Sequence, residues 1–329
     1  MPMTNKLITL AQAVARYTWD GMTYAHGAAF PVGADSVVFG REMARQGRRG
    51  LNLISHCGSQ QLNLLAALGA VRRVEVGFSG LEVYGFAKGL NRAVVSGQTI
   101  IEDYSNGAMA LRFLGGALNW PFVPATVCLN NDQQWCSGDH PDEYPCARKI
   151  PEITDPFSGK KLGAFSVLRP QVAAIHVTMA DMEGNAIMLG SEWSRFEMAR
   201  AAGQVVLVAE RIVDQGCMRQ YPNLVRIISE VVEAIVYWPW AAWPQSVVGL
   251  YDSDEEHMLL MNDMLATAEG TAQYLERYVR AFQTRAEFQA LIGPEKMDRL
   301  AATATAFLMD PYRRWILPDD QIAALEQEG

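Results

Sequence analysis

The chain alternates short apolar runs with amphipathic segments of helical period. That rhythm limits its fold more than any other feature. Residues 51–55 (LNLIS), 71–76 (VRRVEV) and 99–102 read as strands, and 22–29 as a buried strand bounded by glycines. Between and after them, 36–46, 60–68, 86–96 and 107–118 carry apolar residues at helical spacing, with Gly47, Gly69 and Gly97 just past three of the ends. An earlier helix spans 10–17, where Leu10, Ala13, Val14 and Tyr17 recur on one face, Thr9 is placed to cap it and Asp20-Gly21 ends it. Strands separated by single helices imply βαβ units. The expected class is α/β, an open and mainly parallel sheet flanked by helices.

The rhythm breaks over 129–163, a stretch with several prolines and little periodicity. A connection of that length in a folded protein is usually functional or an excursion. It resumes with 172–179 (VAAIHVTM), a central-strand candidate, a turn at Asp181–Asn185, a return strand at 186–189, a helix at 196–202, and apolar runs at 205–209 and 231–236. From Glu255 onward the pattern is helical: 259–267, 271–282, 285–292 and 294–307. This divides the chain into an α/β unit at 1–260 and a helical C-terminal extension at 261–329 packed on it.

Composition excludes several classes. Of 329 residues 50% are hydrophobic and 19% charged, which is enough apolar material for a large core and unlike a disordered chain. The formal net charge is −8 and no basic block stands out, so nucleic acid is not an expected partner. No apolar run reaches about 18 residues, the length that would suggest a membrane span, and the N-terminus does not read as a signal peptide. The expected location is the cytoplasm. The five cysteines do not suggest a disulfide framework. Cys128, Cys136 and Cys146 with His140 between them allow a metal reading, but no CxxC or HxxxH pair supports it, and plain thiols are the alternative.

In open α/β sheets ligands bind beyond the carboxyl ends of the strands. Three such segments carry chemistry. His26 sits in AHGAAF, as a catalytic or a packed histidine. Gly77 and Gly80 flank Ser79, where the backbone can approach an anionic ligand or simply turn. Glu102 and Asp103 adjoin Ser105; a carboxylate there can act as a general base, or Asp103 or Ser105 can cap the next helix. His56-Cys57 has no third residue to orient it. No GxGxxG or GxxxxGK[ST] occurs, so a dinucleotide or P-loop enzyme is unsupported. The residues alone suggest an α/β enzyme with an anionic ligand and give no reaction.

An ordered set of segments goes further: ITLAQAV from Ile8, DGM from Asp20, REMARQGRRGLNLIS from Arg41, GAVRRVEVGFSG from Gly69, SGQTIIEDYSNG from Ser96 and NWPFVPAT from Asn119. It continues with PQVAAIHVTMADMEGNAIMLG from Pro170, AERIVD from Ala209 and GLYDSD from Gly249. Over roughly residues 5 to 260 the set resembles the α subunit of family I coenzyme A transferases, most closely the glutaconate branch. The resemblance implies an open α/β fold and a partner in the form of a homologous β subunit, commonly in an α2β2 heterotetramer. It also implies transfer of CoA between carboxylic acids through a glutamyl-CoA thioester. Acyl-CoA and carboxylic acid would be the substrates, with no permanently bound cofactor and no metal. The nucleophilic glutamate would belong to the β subunit, so this chain would contribute substrate-binding groups, Ser79 with Gly77, Gly80 and Phe30. His176, Asp181, Gly184 and Asn185 would form a structural turn.

The sequence departs from the family at two places. Ala28-Ala29-Phe30 replaces a Gly-Gly-Phe. Ala241-Ala242-Trp243-Pro244 replaces a Gly-Ala-His-Pro inside YWPWAAWP, where Trp238, Trp240 and Trp243 suit either packing or an apolar acyl pocket. Relatives on this scaffold also open rings by hydrolysis or decarboxylate acyl-CoAs, and fold does not fix the reaction. For such a hydrolase, Glu102, Asp103 and His26 are the candidate acid and base groups. A chain that only binds acyl-CoA and shapes a partner's site is the third reading.

Overall fold

The computed structural model describes residues 4–27, 34–136 and 148–328. Among them the strands are β1 (Thr23–His26), β2 (Leu51–Gly58), β3 (Val71–Ser79), β4 (Ile100–Asp103), β5 (Phe122–Ala125) and β6 (Glu152–Thr154). They continue with β7 (Lys161–Ser166), β8 (Val172–Ala180), β9 (Ala186–Ile187), β10 (Gln204–Ile212), β11 (Val225–Ile227) and β12 (Ala234–Tyr237). The first six helices are α1 (Leu10–Tyr17), α2 (Val37–Arg45), α3 (Gln60–Ala67), α4 (Lys88–Val95), α5 (Asn106–Ala117) and α6 (Arg195–Ala201). The rest are α7 (Gln215–Gln220), α8 (Glu255–Leu265), α9 (Ala268–Leu275), α10 (Arg285–Ile292), α11 (Pro294–Leu300) and α12 (Asp319–Glu328).

Seven strands run parallel in the order β4-β3-β2-β1-β8-β10-β12, and β9 and β11 add antiparallel pairs beside the far half of β8. From β1 the chain steps outward through β2, β3 and β4. From β8 it steps the other way, through β10 to β12. Right-handed crossovers in opposite directions put their helices on opposite faces. Accordingly α2, α3 and α4 pack on one face, around Val38, Phe39, Leu62, Leu65 and Leu90. On the other face lie α5 and α6, around Met109, Phe113, Met198 and Ala199. The sheet between them has both faces covered, which is why β8 is buried along its whole length and reads as an unbroken apolar run.

Caps set several helix starts. Thr9 and Gln12 close a reciprocal capping box on α1. Ser105, not Asp103, caps α5, accepting from the Ala108 N–H at 3.1 Å. Thr267 caps α9, so the expected helix 259–267 ends at Leu265 and a new one begins.

The structure differs from the sequence expectations where the apolar pattern is thin. The stretch 129–163 is not wholly irregular. β6 and the first half of β7 lie in it, and with β5 they form a small antiparallel sheet. These strands are short, β6 buries no residue and β7 buries Gly163 and Phe165, so little apolar pattern marks them in the sequence. The run 231–236 starts as a 3-10 turn at Ser229–Val231 before β12. The helix expected at 294–307 stops at Leu300. The sequence pattern gives no sign of α7, α12 or β11.

The helices from Glu255 onward share a core with the sheet rather than forming one of their own. Met261, Leu265, Tyr274, Val279, Phe282 and Phe288 belong to the same buried cluster as Phe39 and Leu62. The tryptophans of YWPWAAWP are the joint. Trp243 is buried against His257 and Phe288 under the Arg41 guanidinium. Trp238 packs on Phe282 and Phe288, and Trp240 stacks on Tyr251 with ring centroids 4.2 Å apart. All three make the packing contacts that one of the two sequence readings required. No helix among the described residues is long and apolar enough to cross a membrane.

Candidate active site

The sheet reverses its winding direction between β1 and β8. At such a switch point the connections diverge and leave a crevice beyond the carboxyl ends. Register then fixes which residues meet there. Ala25 pairs with Ile54, Gly58 with Ser79, and Val76 with Asp103, so the ends of β1 to β4 bring His26, Gly58, Ser79 and Asp103 to one edge. The three segments singled out in the sequence therefore lie along one edge. Phe30 lies outside the described residues.

Ser79 ends β3 and lines a cavity of 220 Å³ with Phe86, Ala87, Leu90, Asn91, Val94 and Ile101. The wall is mostly apolar and Asn91 adds an amide. Gly77 has a packing reason to lack a side chain. A Cβ there would lie 2.4 Å from Asn106 Oδ1 and 3.0 Å from both the Asn106 Cα and the His56 carbonyl oxygen. The close approach it permits is that of the first turn of α5. At Gly80 a Cβ would meet the tip of Phe78 at 3.1 Å and the Gly85 carbonyl oxygen at an ordinary 3.7 Å.

Glu102 and Asp103 have different surroundings, as alternation along β4 requires. Glu102 is buried and its Oε2 accepts from Lys149 Nζ at 2.9 Å. Asp103 turns outward, and its carboxylate is more than half exposed. Lys149 also donates to the Asp103 carbonyl oxygen at 2.9 Å, and reaches its Oδ1 at 3.5 Å. One strand over, Glu75 pairs with Arg112 at 2.6 Å and Arg73 at 3.1 Å. Burial works to raise the Glu75 carboxyl, but Arg112 and Arg73 outweigh it and hold the group below the usual range. Tyr104 lies between Arg112, 4.0 Å from its ring centroid, and Lys149 at 4.7 Å.

His26 is fully buried and stacks on Tyr24. Its Nδ1 lies 3.0 Å from Asp35 Oδ2. The other Asp35 oxygen accepts from the Ser36 N–H at 2.8 Å and from Gln61 Nε2 at 3.1 Å, while Gln61 accepts from the Tyr24 hydroxyl. Gln245 holds the Asp35 N–H and donates to Ser59. Among the described residues the His26 Nε2 has no hydrogen-bond partner. A carboxylate on Nδ1 fixes the ring orientation and leaves Nε2 as the working nitrogen.

Nearby, Glu210 accepts from the Tyr251 hydroxyl at 2.6 Å and the Trp240 N–H at 2.7 Å, and lies 2.9 Å from His176 Nε2. Burial and Glu210 raise the Tyr251 pKa well above that of an ordinary phenol, so it stays a donor. This network ties β8, β10 and the tryptophan corner together, in keeping with a structural His176. Asp181 likewise holds its own turn, accepting from the N–H groups of Glu183, Gly184 and Asn185. Cys57 points away from His56, and burial, then Glu82, push its thiol up to about 12, which leaves no thiolate. No group of His, Cys, Asp and Glu among the described residues could hold a metal. Cys146 and His140 fall outside them.

Sequence reasoning missed Lys149, Asp35, Gln61 and Gln245. The first sits in the long connection, whose length was the one available signal. The others are polar residues in apolar surroundings, and only the fold brings them together.

Known proteins share both the sequence and the fold. The family model described as Coenzyme A transferase matches residues 7–236. An uncharacterized protein of Archaeoglobus fulgidus is 32% identical over 297 residues; the match covers 89% of this chain and 64% of that protein, so the chain spans about two thirds of its length. The A subunit of 3-oxoadipate CoA-transferase from Pseudomonas knackmussii is 27% identical, with 88% of this chain and 99% of that protein covered. The crystal structure of glutaconate coenzyme A-transferase from Acidaminococcus fermentans superposes with a TM-score of 0.85 at 22% identity, covering 96% of this chain and 99% of that one, which shows a shared fold. The chain thus belongs to the coenzyme A transferase family.

Proposed function

We propose that this chain works in a two-subunit CoA transferase that moves CoA between carboxylic acids, and that the acyl-carrying glutamate is on the partner subunit. One observation carries the reading. Among the described residues, four carboxylates toward the carboxyl edge are engaged within the chain: Asp35 by His26 and Gln61, Glu75 by Arg112 and Arg73, Glu102 by Lys149, and Glu210 by Tyr251, Trp240 and His176. A carboxylate nucleophile must be able to attack a thioester carbonyl, and tight ion pairing opposes that. This favours a glutamate supplied by the partner subunit.

Ser79 is the substrate contact in this reading. Its hydroxyl and the backbone around Gly77 and Gly80 orient the acid, and the apolar cavity beside it takes the acyl chain. Phe30 would complete the contact. Exposed Phe78, Val83 and Phe86 surround this lip and offer an apolar surface for the partner subunit to cover. An α2β2 assembly in the cytoplasm, with CoA thioester as substrate and no resident cofactor, completes the proposal. His26, Glu102 and Asp103 would be the acid and base groups only if the reaction were hydrolytic. The Lys149 contact favours transfer, because it keeps Glu102 from serving as a free base.

The test uses the chain copurified with its partner. Acyl-CoAs are supplied with and without an acceptor acid, and mass spectrometry follows the proteins and the CoA esters. A CoA adduct on a partner glutamate, with exchange that needs the acceptor, is the expected result. Ser79→Ala should raise KM for the acid and leave the adduct site unchanged. Absence of a CoA adduct on any partner glutamate, with no exchange of CoA onto the acceptor acid, would overturn the reading.

A further inference from the structure

His56, near the end of β2, turns toward α6, on the opposite face from His26. Its Nδ1 lies 2.8 Å from Ser194 Oγ, and the imidazole meets the Trp193 ring edge-on at 5.4 Å between centroids. Trp193 and Ser194 both have left-handed backbone, with φ of 46° and 62°. Two consecutive residues with a Cβ rarely adopt it, and such strain persists only where the surroundings impose it. Here Arg195 imposes it. This buried guanidinium donates to the carbonyl oxygens of Ser191 at 2.5 Å, His176 at 2.9 Å, Glu192 at 3.0 Å and Ala34 at 3.3 Å. The cation is used to pin the turn that presents Ser194.

Ser194 also forgoes the usual task of a serine at its position. It is the residue before the first turn of α6, yet its side chain caps no N–H group there. The hydroxyl goes to His56 instead. Burial lowers the His56 pKa below its ordinary value, so the ring is neutral near pH 7 and can accept a proton. Ser194 remains partly exposed, so an electrophile can reach it.

We propose that Ser194 is a nucleophile activated by His56, and that the pair gives this chain an acyl-thioester hydrolase activity separate from CoA transfer. Ser194 Oγ bonds to the thioester carbonyl carbon as its proton passes to His56 Nδ1. The C–S bond then breaks, and the departing thiolate takes that proton. Water attacks the resulting serine ester, His56 accepts the water's proton and returns it to Ser194 Oγ, and free acid and thiol are the products. No oxidant or further reactant is needed.

The test uses the full chain in complex with its partner. A fluorophosphonate probe is added and peptide mass spectrometry locates the label; acetyl-CoA hydrolysis is measured without acceptor. Ser194 should be labelled, and Ser194→Ala should lose both the label and most of the acceptor-free hydrolysis. His56→Gln should slow labelling by about 100-fold, the size expected for loss of a general base. An unlabelled Ser194, or equal labelling in the folded His56→Gln protein, would overturn the proposal. Should His56→Gln not fold, the wild-type rate decides: it must rise with pH through the window below about 6.5, where a depressed histidine loses its proton. A flat profile there would equally overturn it.

Discussion

The pair at the end of β4 allows a sharp test of how this edge is held. Lys149 Nζ and Glu102 Oε2 are 2.9 Å apart with both side chains wholly buried. At that distance the attraction is about 6 kcal/mol for an effective dielectric near 20. Desolvating two ions costs several kcal/mol each, so the intact pair adds little net stability. Removing one partner is another matter. Lys149→Met leaves a carboxylate in a site built for a cation, and should cost about 3–5 kcal/mol at neutral pH. Glu102→Gln with Lys149→Met removes both charges and should recover most of that loss. Urea denaturation of the wild type, both single variants and the double variant at neutral pH measures this. A Lys149→Met cost under about 1 kcal/mol, or a double variant whose cost is the sum of the singles, would refute the reasoning.

Other expectations concern burial. His257 lies at 3% exposure, and its pKa falls well below 6.5 through burial first, then Arg41, Lys296 and Arg277. The unfolded chain therefore binds a proton near pH 6.5 that the folded chain refuses, and stability falls as pH drops through that value. The loss is about 1.4 kcal/mol by about pH 5.5, and the difference between wild type and His257→Asn isolates it. Gly77→Ala should lower stability by about 1–3 kcal/mol, because the Asn106 backbone cannot yield; an unmoved Tm would show that the approach of α5 is not what excludes a side chain there. Trp243→Ala should cost about 3–5 kcal/mol through loss of the joint between sheet and C-terminal helices, read as a fall in the denaturation midpoint.

Local chemistry in the chain determined the strand-helix rhythm, the Thr9 cap, the three carboxyl-end segments and, through the ordered set of motifs, the family. These are legible because apolar period and cap residues act over a few positions. What the sequence left open at Glu102 was decided by a residue 47 positions away, since Lys149 enters from the long connection and occupies the carboxylate. Asp35 became the partner of His26, and Gln245 joined it from 210 residues on, only because the crossovers bring α2 and the tryptophan corner over the end of β1. The Ser194–His56 contact spans 138 residues, across the switch point. A polar residue with no periodic pattern carries no local signal of its partner. Burial removes water as the alternative partner, and the tertiary fold then decides which group satisfies it.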